Sequence, residues 1–410
     1  MNNNELTISC PICASKSNTI VLNLETSVVD NSPLYKDIKI KKCTSCAHIY
    51  NQLTKQDFDG LMQYYDNEYA LTTLNSPDTT SDKPGSLNKN TTKRFEQLYS
   101  IAKNHLKTSD KVLDIGCALG GFLTHLKSKG ISKLYGIDFT QKYISQAKKN
   151  DNLILKVGVA QSIPFEDDSF DFLFMDQVLE HLLDPSLAFI EAKRVLKANA
   201  YFCIGVPNAK EYGSSFIFDF FWFLMKEHIQ HFDIHHLEYL ANLNGFELVR
   251  FEETRNPMMG DKTVLPILNV LFKLKSETTN NKLIINQDMN ILEHSINNYL
   301  KKEFTRLEKK QLIINALKES NTPLYIWGIG REYLYLKNNT ELNACNILAL
   351  VDANEYKQKS LTVDKQKIHK PSLLIDANKT SSLLITASAY TQVIKKNLAE
   401  LGYKGEIIEI

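Results

Sequence analysis

Some residues of this chain have the types and spacing that chemistry requires. Cys10-Pro-Ile-Cys13 and Cys43-Thr-Ser-Cys46 are two Cys-x-x-Cys pairs. Each pair can set two thiolates on one side of a tight turn, and four thiolates complete a tetrahedral zinc site with no open position. Such a site would be structural, holding together a segment too small to fold well on its own core. The loop between the pairs is longer than the usual ribbon spacing, so redox use or unoccupied thiols is the alternative. Further on, Lys111-Val-Leu-Asp-Ile-Gly-Cys-Ala-Leu-Gly-Gly-Phe122 runs an apolar strand into Asp114 and a turn with Gly116 and Gly120. Glycines there permit φ > 0 and a close backbone approach to a ligand, while the helix that follows begins with free N–H groups. This reads as a nucleoside-cofactor site. About 20 residues on, Tyr135-Gly-Ile-Asp138 ends a second strand in a carboxylate that can accept from both hydroxyls of a ribose. Finally, Glu227-His228-Ile-Gln-His231-Phe232 carries imidazoles, which titrate near neutrality and can take a proton from a hydroxyl, an amine or a carbon next to a ketone.

The rest of the chain must position these groups. With 410 residues, 43% of them hydrophobic, it has room for two to three domains. Its 48 basic and 47 acidic residues balance, so no global field draws it to nucleic acid or an anionic membrane. Met1-Asn-Asn-Asn-Glu-Leu lacks a basic or apolar leader pattern, and no run approaches a spanning length, so a cytoplasmic protein without a membrane span is expected. Phe216 to Met225 and Val264 to Phe272 read as core or site-covering helices. Cys117, Cys203 and Cys345 lie in apolar surroundings that suit core packing.

From Lys111 to Leu196 strands alternate with helices, which predicts a parallel doubly wound sheet. Residues 1–70 form the zinc segment, 71–260 the central domain, 261–320 a helical connector and 321–410 a second Rossmann-like domain. The last opens on Leu324-Tyr-Ile-Trp-Gly-Ile-Gly-Arg331. There Tyr333 stands where a dinucleotide fingerprint wants its third glycine, Asp352 closes the second strand, and Arg331 would suit a phosphate.

The Asp114-x-Gly116-x-x-x-Gly120 skeleton resembles the first motif of class I S-adenosylmethionine (SAM) methyltransferases. Gly158-Val-Ala-Gln-Ser-Ile-Pro-Phe-Glu-Asp-Asp-Ser-Phe-Asp171 is similar to another of their segments, with Val159 where an acidic residue is usual. Phe172 to Asp184 resembles their fourth strand and Leu-Glu-His turn. The resemblance implies that Asp114, Gly116, Cys117, Gly120 and Asp138 bind SAM, that Ala160 and Gln161 meet the adenine, and that Met175 and Asp176 face the methionine part. His181 would touch the acceptor or cap its turn.

The order of parts further resembles the zinc-containing sugar C-methyltransferases of deoxysugar biosynthesis, whose acceptors are nucleotide-linked keto-sugars. This implies His228, Glu227, Tyr69 and His181 as catalytic groups, with Tyr65 as a rival to Tyr69 and Glu227 orienting His228 or acting itself. The His-Gly-Gly-Ser type segment of those enzymes is absent, and Asn256-Pro-Met-Met-Gly-Asp261 stands near its place. O- or N-methylation of a sugar therefore stays open, as do an NAD-binding or sugar-sensing protein and a metal cluster of His228, His231, His235 and His236. The expected partner is a small molecule, and the expected state a monomer or homodimer.

Overall fold

The computed structural model describes residues 5–65, 83–147, 153–258, 263–275, 290–377 and 380–410. Strands β1 (Asn18–Glu25), β2 (Asp37–Cys43) and β3 (Ile49–Asn51) form an antiparallel meander in which Cys43 ends β2. The central unit contains β4 (Lys111–Ile115), β5 (Lys133–Asp138), β6 (Ile154–Val157), β7 (Phe170–Asp176) and β8 (Leu196–Pro207), followed by β9 (Gln230–His231), β10 (Phe246–Met258) and β11 (Thr263–Leu274).

Seven of these strands make one mixed sheet in the order β10-β11-β8-β7-β4-β5-β6, parallel from β8 to β6 and antiparallel at the β10–β11 end. Parallel strands covered on both faces read as apolar runs, as Phe172 to Met175 does. Strand order reverses at β4, with β5 on one side and β7 on the other. Ligands of open α/β sheets bind at such a reversal, outside the carboxyl ends of the strands. β9 departs from this sheet and extends the N-terminal one, pairing His231 with Ile49 and Gln230 with Tyr50.

The helix Lys89–Ala102, capped by the Asn88 side chain, buries Phe95, Leu98, Ile101 and Ala102, apolar residues at helical spacing. Pro185–Val195 starts on an Asp184 cap with proline in its first turn and buries Ala188, Phe189, Ala192 and Val195.

Two expectations fail. Thr263–Leu274 is a strand rather than part of a helical connector, and the helix of this region among the described residues is Asn290–Ser320. A strand buried on both faces leaves an apolar run without a period, which its sequence cannot distinguish from a buried helix. Phe216 to Met225 is likewise no helix. It is irregular chain around the short turn Trp222–Leu224, with Phe220, Phe221, Phe223 and Leu224 buried.

The C-terminal sheet comprises β12 (Leu324–Trp327), β13 (Ile347–Val351), β14 (Thr362–Val363), β15 (Gln366–His369), β16 (Ser382–Ile385) and β17 (Glu406–Glu409). Its order is β14-β15-β13-β12-β16-β17, and every pair but β14–β15 is parallel. One apolar cluster joins Ile40 and Ile49 of the first sheet, Phe221 and Phe223, Ile296 and Tyr299 of the long helix, and Ile326 and Leu336 of the C-terminal unit. The parts therefore share a core. No helix of the described residues is long and apolar enough to cross a membrane.

Candidate active site

The turn after β4 is built by its backbone. Gly116 (φ 82°) and Gly120 (φ 76°) are left-handed, and a Cβ on Gly116 would overlap Val178 Cγ2. Ala118 is left-handed too, at φ 43°, although a Cβ disfavours that region. Asp138 holds it there, because its Oδ2 accepts the Ala118 N–H at 3.0 Å while Oδ1 accepts that of Thr140 at 2.8 Å. The N–H groups of Gly116 and Cys117 both donate to Ile137 O, at 2.8 and 2.9 Å. The strand-end carboxylate and the glycine turn are thus one unit.

Three carboxylates, Asp114, Asp138 and Asp176, are buried or nearly so around this turn. Burial raises the pKa of each; for Asp114 the charges of Asp176 and Asp138 add to it, and Arg94 opposes them. Arg94 Nε lies 2.9 Å from Asp176 Oδ2. Burial and repulsion favour protonation of this trio, and a cationic ligand, unlike a pyrophosphate, would favour its ionised form.

Across β7 lies a group of imidazoles. His181 Nδ1 sits 2.7 Å from Glu227 O, and His228 Nδ1 3.2 Å from Phe223 O. A carbonyl only accepts, so each Nδ1 carries the hydrogen and each Nε2 keeps a lone pair. Burial lowers both pKa values, and His181 lowers that of His228 further, which leaves both rings neutral. Glu180 is buried beside them, and burial raises its pKa to about 8. Ligand atoms of Glu180, His181 and His228 lie within 4.8 Å of one another.

The Glu227 side chain turns away from His228. Its oxygens meet Tyr35 OH and, at 3.0 Å, Arg331 Nη2. Burial would raise its pKa, but the charge and hydrogen bond of Arg331, together with that of Tyr35, lower it. Glu227 thus orients His181 through its backbone and leaves His228 to Phe223, contrary to the expectation that it orients His228. Tyr65 OH is 3.4 Å from His181 Nδ1. Tyr69 lies outside the described residues.

The four paired cysteines converge, with Sγ separations of 3.5 Å for Cys10–Cys46 and 3.5 Å for Cys13–Cys43. A tetrahedron of Zn–S bonds has an edge of about 3.8 Å, so the sulfurs fit zinc. The two turns repeat each other. Ala14 and Ala47, the residues after each pair, are left-handed at φ 60° and 59°, and each donates at 2.9 Å to the carbonyl of its pair's first cysteine. Of the other histidines, His231 is in β9, His235 is exposed, and His236 bonds Asp233 and Cys46 O at 2.7 Å each. The cluster of four histidines does not form.

In the C-terminal glycine pair Gly328 is closely packed, while a Cβ on Gly330 would meet nothing within 4 Å. A Cβ on Gly328 would be 2.6 Å from Ala387 N, so that glycine serves close packing. Asp352 Oδ2 accepts from Ile329 N at 2.9 Å and Lys357 Nζ at 2.8 Å.

Residues 113–204 match the methyltransferase domain family. The chain carries a class I SAM-dependent methyltransferase domain. Residues 320–409 match a family described as C2185-like, N-terminal. An uncharacterised methyltransferase of Schizosaccharomyces pombe is 30% identical over 24% of this chain and 40% of its own length. A demethylmenaquinone methyltransferase of Lactiplantibacillus plantarum is 30% identical over 27% of this chain and 50% of its own. The chain thus spans half or less of these curated relatives. A solved SAM-dependent methyltransferase of Methanosarcina mazei aligns at 25% identity and a TM-score of 0.38, covering 44% of this chain and 99% of that one.

Within the methyltransferase domain, Ala160 and Gln161 follow Gly158, whose N–H donates to the backbone carbonyl of Asp138 at 3.1 Å, which ties the start of their loop to the end of β5. The side chains of Cys117 and Met175 are packed in the core, leaving only their backbone for a ligand. Sequence reasoning missed Arg94, Glu180, Tyr35 and Asn51. It gave no role to Asn208 and Asn256, whose buried side-chain polar atoms, like those of His231, have no hydrogen-bond partner among the described residues. Unpartnered polar groups cost about 1–3 kcal/mol each, and that cost was the signal a sequence does not carry.

Proposed function

We propose that the protein transfers the methyl group of SAM to a small polar acceptor, a nucleotide-activated sugar methylated at the carbon next to a ketone. The observation that carries the cofactor choice is the buried trio Asp114, Asp138 and Asp176 against the single guanidinium of Arg94. SAM brings a sulfonium and an ammonium to such a cradle and supplies an electrophilic methyl when bound. NAD would bring two phosphate charges, which three buried carboxyl groups do not suit.

On the acceptor side, the Nε2 lone pairs of His228 and His181 are bases of the right kind for a proton on carbon or oxygen. Glu180, kept protonated at pH 7 by burial, offers an O–H to an oxygen on which charge develops. Tyr65 stands by His181 in the role that the sequence gave to Tyr69. Cys10, Cys13, Cys43 and Cys46 would hold a structural zinc. Asn208, His231 and Asn256 have buried side-chain polar atoms without a partner among the described residues, which a polar ligand reaching them could satisfy.

The test is methyl transfer from SAM labelled with carbon-13 to nucleotide-linked 4-keto-6-deoxysugars and their reduced counterparts, read by NMR. A new methyl on carbon, with proton exchange at that carbon in deuterated water, is expected. Methyl on oxygen or nitrogen would replace C-methylation by the alternative chemistry, and no transfer to any sugar would remove the sugar reading.

A further inference from the structure

Parts of the chain far apart in sequence meet on one side chain, Glu227. Tyr35, between β1 and β2, donates to its Oε2. Arg331 opens the helix Arg331–Asn339 of the C-terminal unit and places Nη2 3.0 Å from Glu227 Oε1, with Nη1 3.3 Å from the Tyr35 hydroxyl. The same stretch is held from the other side by Asn51. Its Nδ2 donates to Met225 O at 3.0 Å and His228 O at 2.8 Å, and its backbone N–H to Ile229 O at 2.8 Å.

What the clamp holds is the machinery of the reaction. The Glu227 carbonyl takes His181 Nδ1, and His228 is the next residue, so a shift of Glu227 by an ångström would misdirect both Nε2 lone pairs. A misplacement of that size can cost about 100-fold in rate. The pair is also hard to remove by halves, because deleting one partner leaves an uncompensated buried charge.

We propose that Arg331 is a positioning residue for the acceptor-side histidines, acting through Glu227 and with Tyr35, so that the C-terminal unit completes the active site. Its guanidinium is committed to this carboxylate rather than to a phosphate, which replaces the phosphate role its place at a helix start suggests. The turnover part of the test rests on the methyltransferase reading; the exchange part does not.

The experiment compares Arg331→Leu, Arg331→Lys and the charge-neutral double variant Arg331→Leu/Glu227→Gln in the full-length zinc-loaded protein. Hydrogen exchange is followed at residues 222–232 and at 111–138, with S-adenosylhomocysteine (SAH) affinity by calorimetry. Arg331→Leu should speed exchange at 222–232 about tenfold or more, leave 111–138 unchanged and keep SAH affinity within about twofold. Lysine should restore most of the protection. On an acceptor found by the NMR screen, kcat should fall about 100-fold with the KM for SAM unchanged. Should Arg331→Leu fail to fold, the double variant decides, since it removes both charges and should still show the fast exchange. Wild-type exchange at 222–232 in either variant would overturn the proposal. So would weakened binding of UDP or dTDP with that exchange unchanged, which would make Arg331 an anion site.

Discussion

The rings of His181 and His228 stand 5.1 Å apart, centroid to centroid, and each has its Nδ1 committed to a backbone carbonyl. Both Nε2 atoms are thereby left as bases. Replacing either ring by alanine should cost about 100- to 10,000-fold in turnover, the usual range for a lost general base, while SAH binding stays near wild type. Turnover and calorimetry on His181→Ala and His228→Ala check this. Wild-type turnover in His228→Ala would remove it as the base.

Asp138 braces the turn through Ala118 N–H, and in the proposed reading it also holds the ribose of the cofactor. Asp138→Ala should therefore lose SAH affinity by about tenfold or more, on the scale of a charge-assisted hydrogen bond. Calorimetry on the folded variant measures it, and unchanged affinity would put the cofactor elsewhere.

Glu180 gives a pH signature. Burial raises its pKa to about 8, against about 4.3 in an unfolded chain. The folded protein then keeps a proton that the unfolded chain releases, so this group's contribution to stability falls as pH rises from about 4.3 to 8 and levels off above. Glu180→Gln holds the neutral form at every pH. Without ligand it should be more stable than wild type at pH 9, by a few kcal/mol at most, and the gap should close towards pH 4. Urea unfolding at pH 5, 7 and 9 tests the sign, and a variant less stable than wild type at pH 9 would contradict it.

The cysteine turns pack into the same core as the methyltransferase sheet, with Cys43, Cys46 and Tyr50 touching the cluster of Leu173, Ile204 and Phe232. Zinc removal should therefore lower the melting temperature of the whole protein by several degrees and speed exchange at Ile49 and His231, where β3 meets β9. Metal analysis should find one zinc per chain, lost in Cys43→Ser. A chelated protein that melts as before would deny the thiols a structural role.

The sequence made the cofactor turn legible because a tight strand–turn–helix junction dictates residue types locally; Asp114, Gly116, Gly120 and Asp138 lie where the motif put them. Thr263–Leu274 was not legible, since burial on both faces erases its period. Arg331, Tyr35 and Asn51 were hidden for another reason. They act on Glu227 and His228 from 104, 192 and 177 residues away, and no local pattern records such an approach. Ala118 shows the limit of motif matching from the other side, as an alanine held left-handed by an acceptor twenty positions on.

The most direct test of a cationic cofactor at the Asp114–Asp138–Asp176 cradle is calorimetry of the zinc-loaded protein with SAH and with NAD, in wild type and Asp138→Ala. SAH should bind wild type and weaken in the variant, while NAD gives no heat. Binding of NAD with none of SAH would contradict the methyltransferase assignment and move the cofactor to the Gly328 turn.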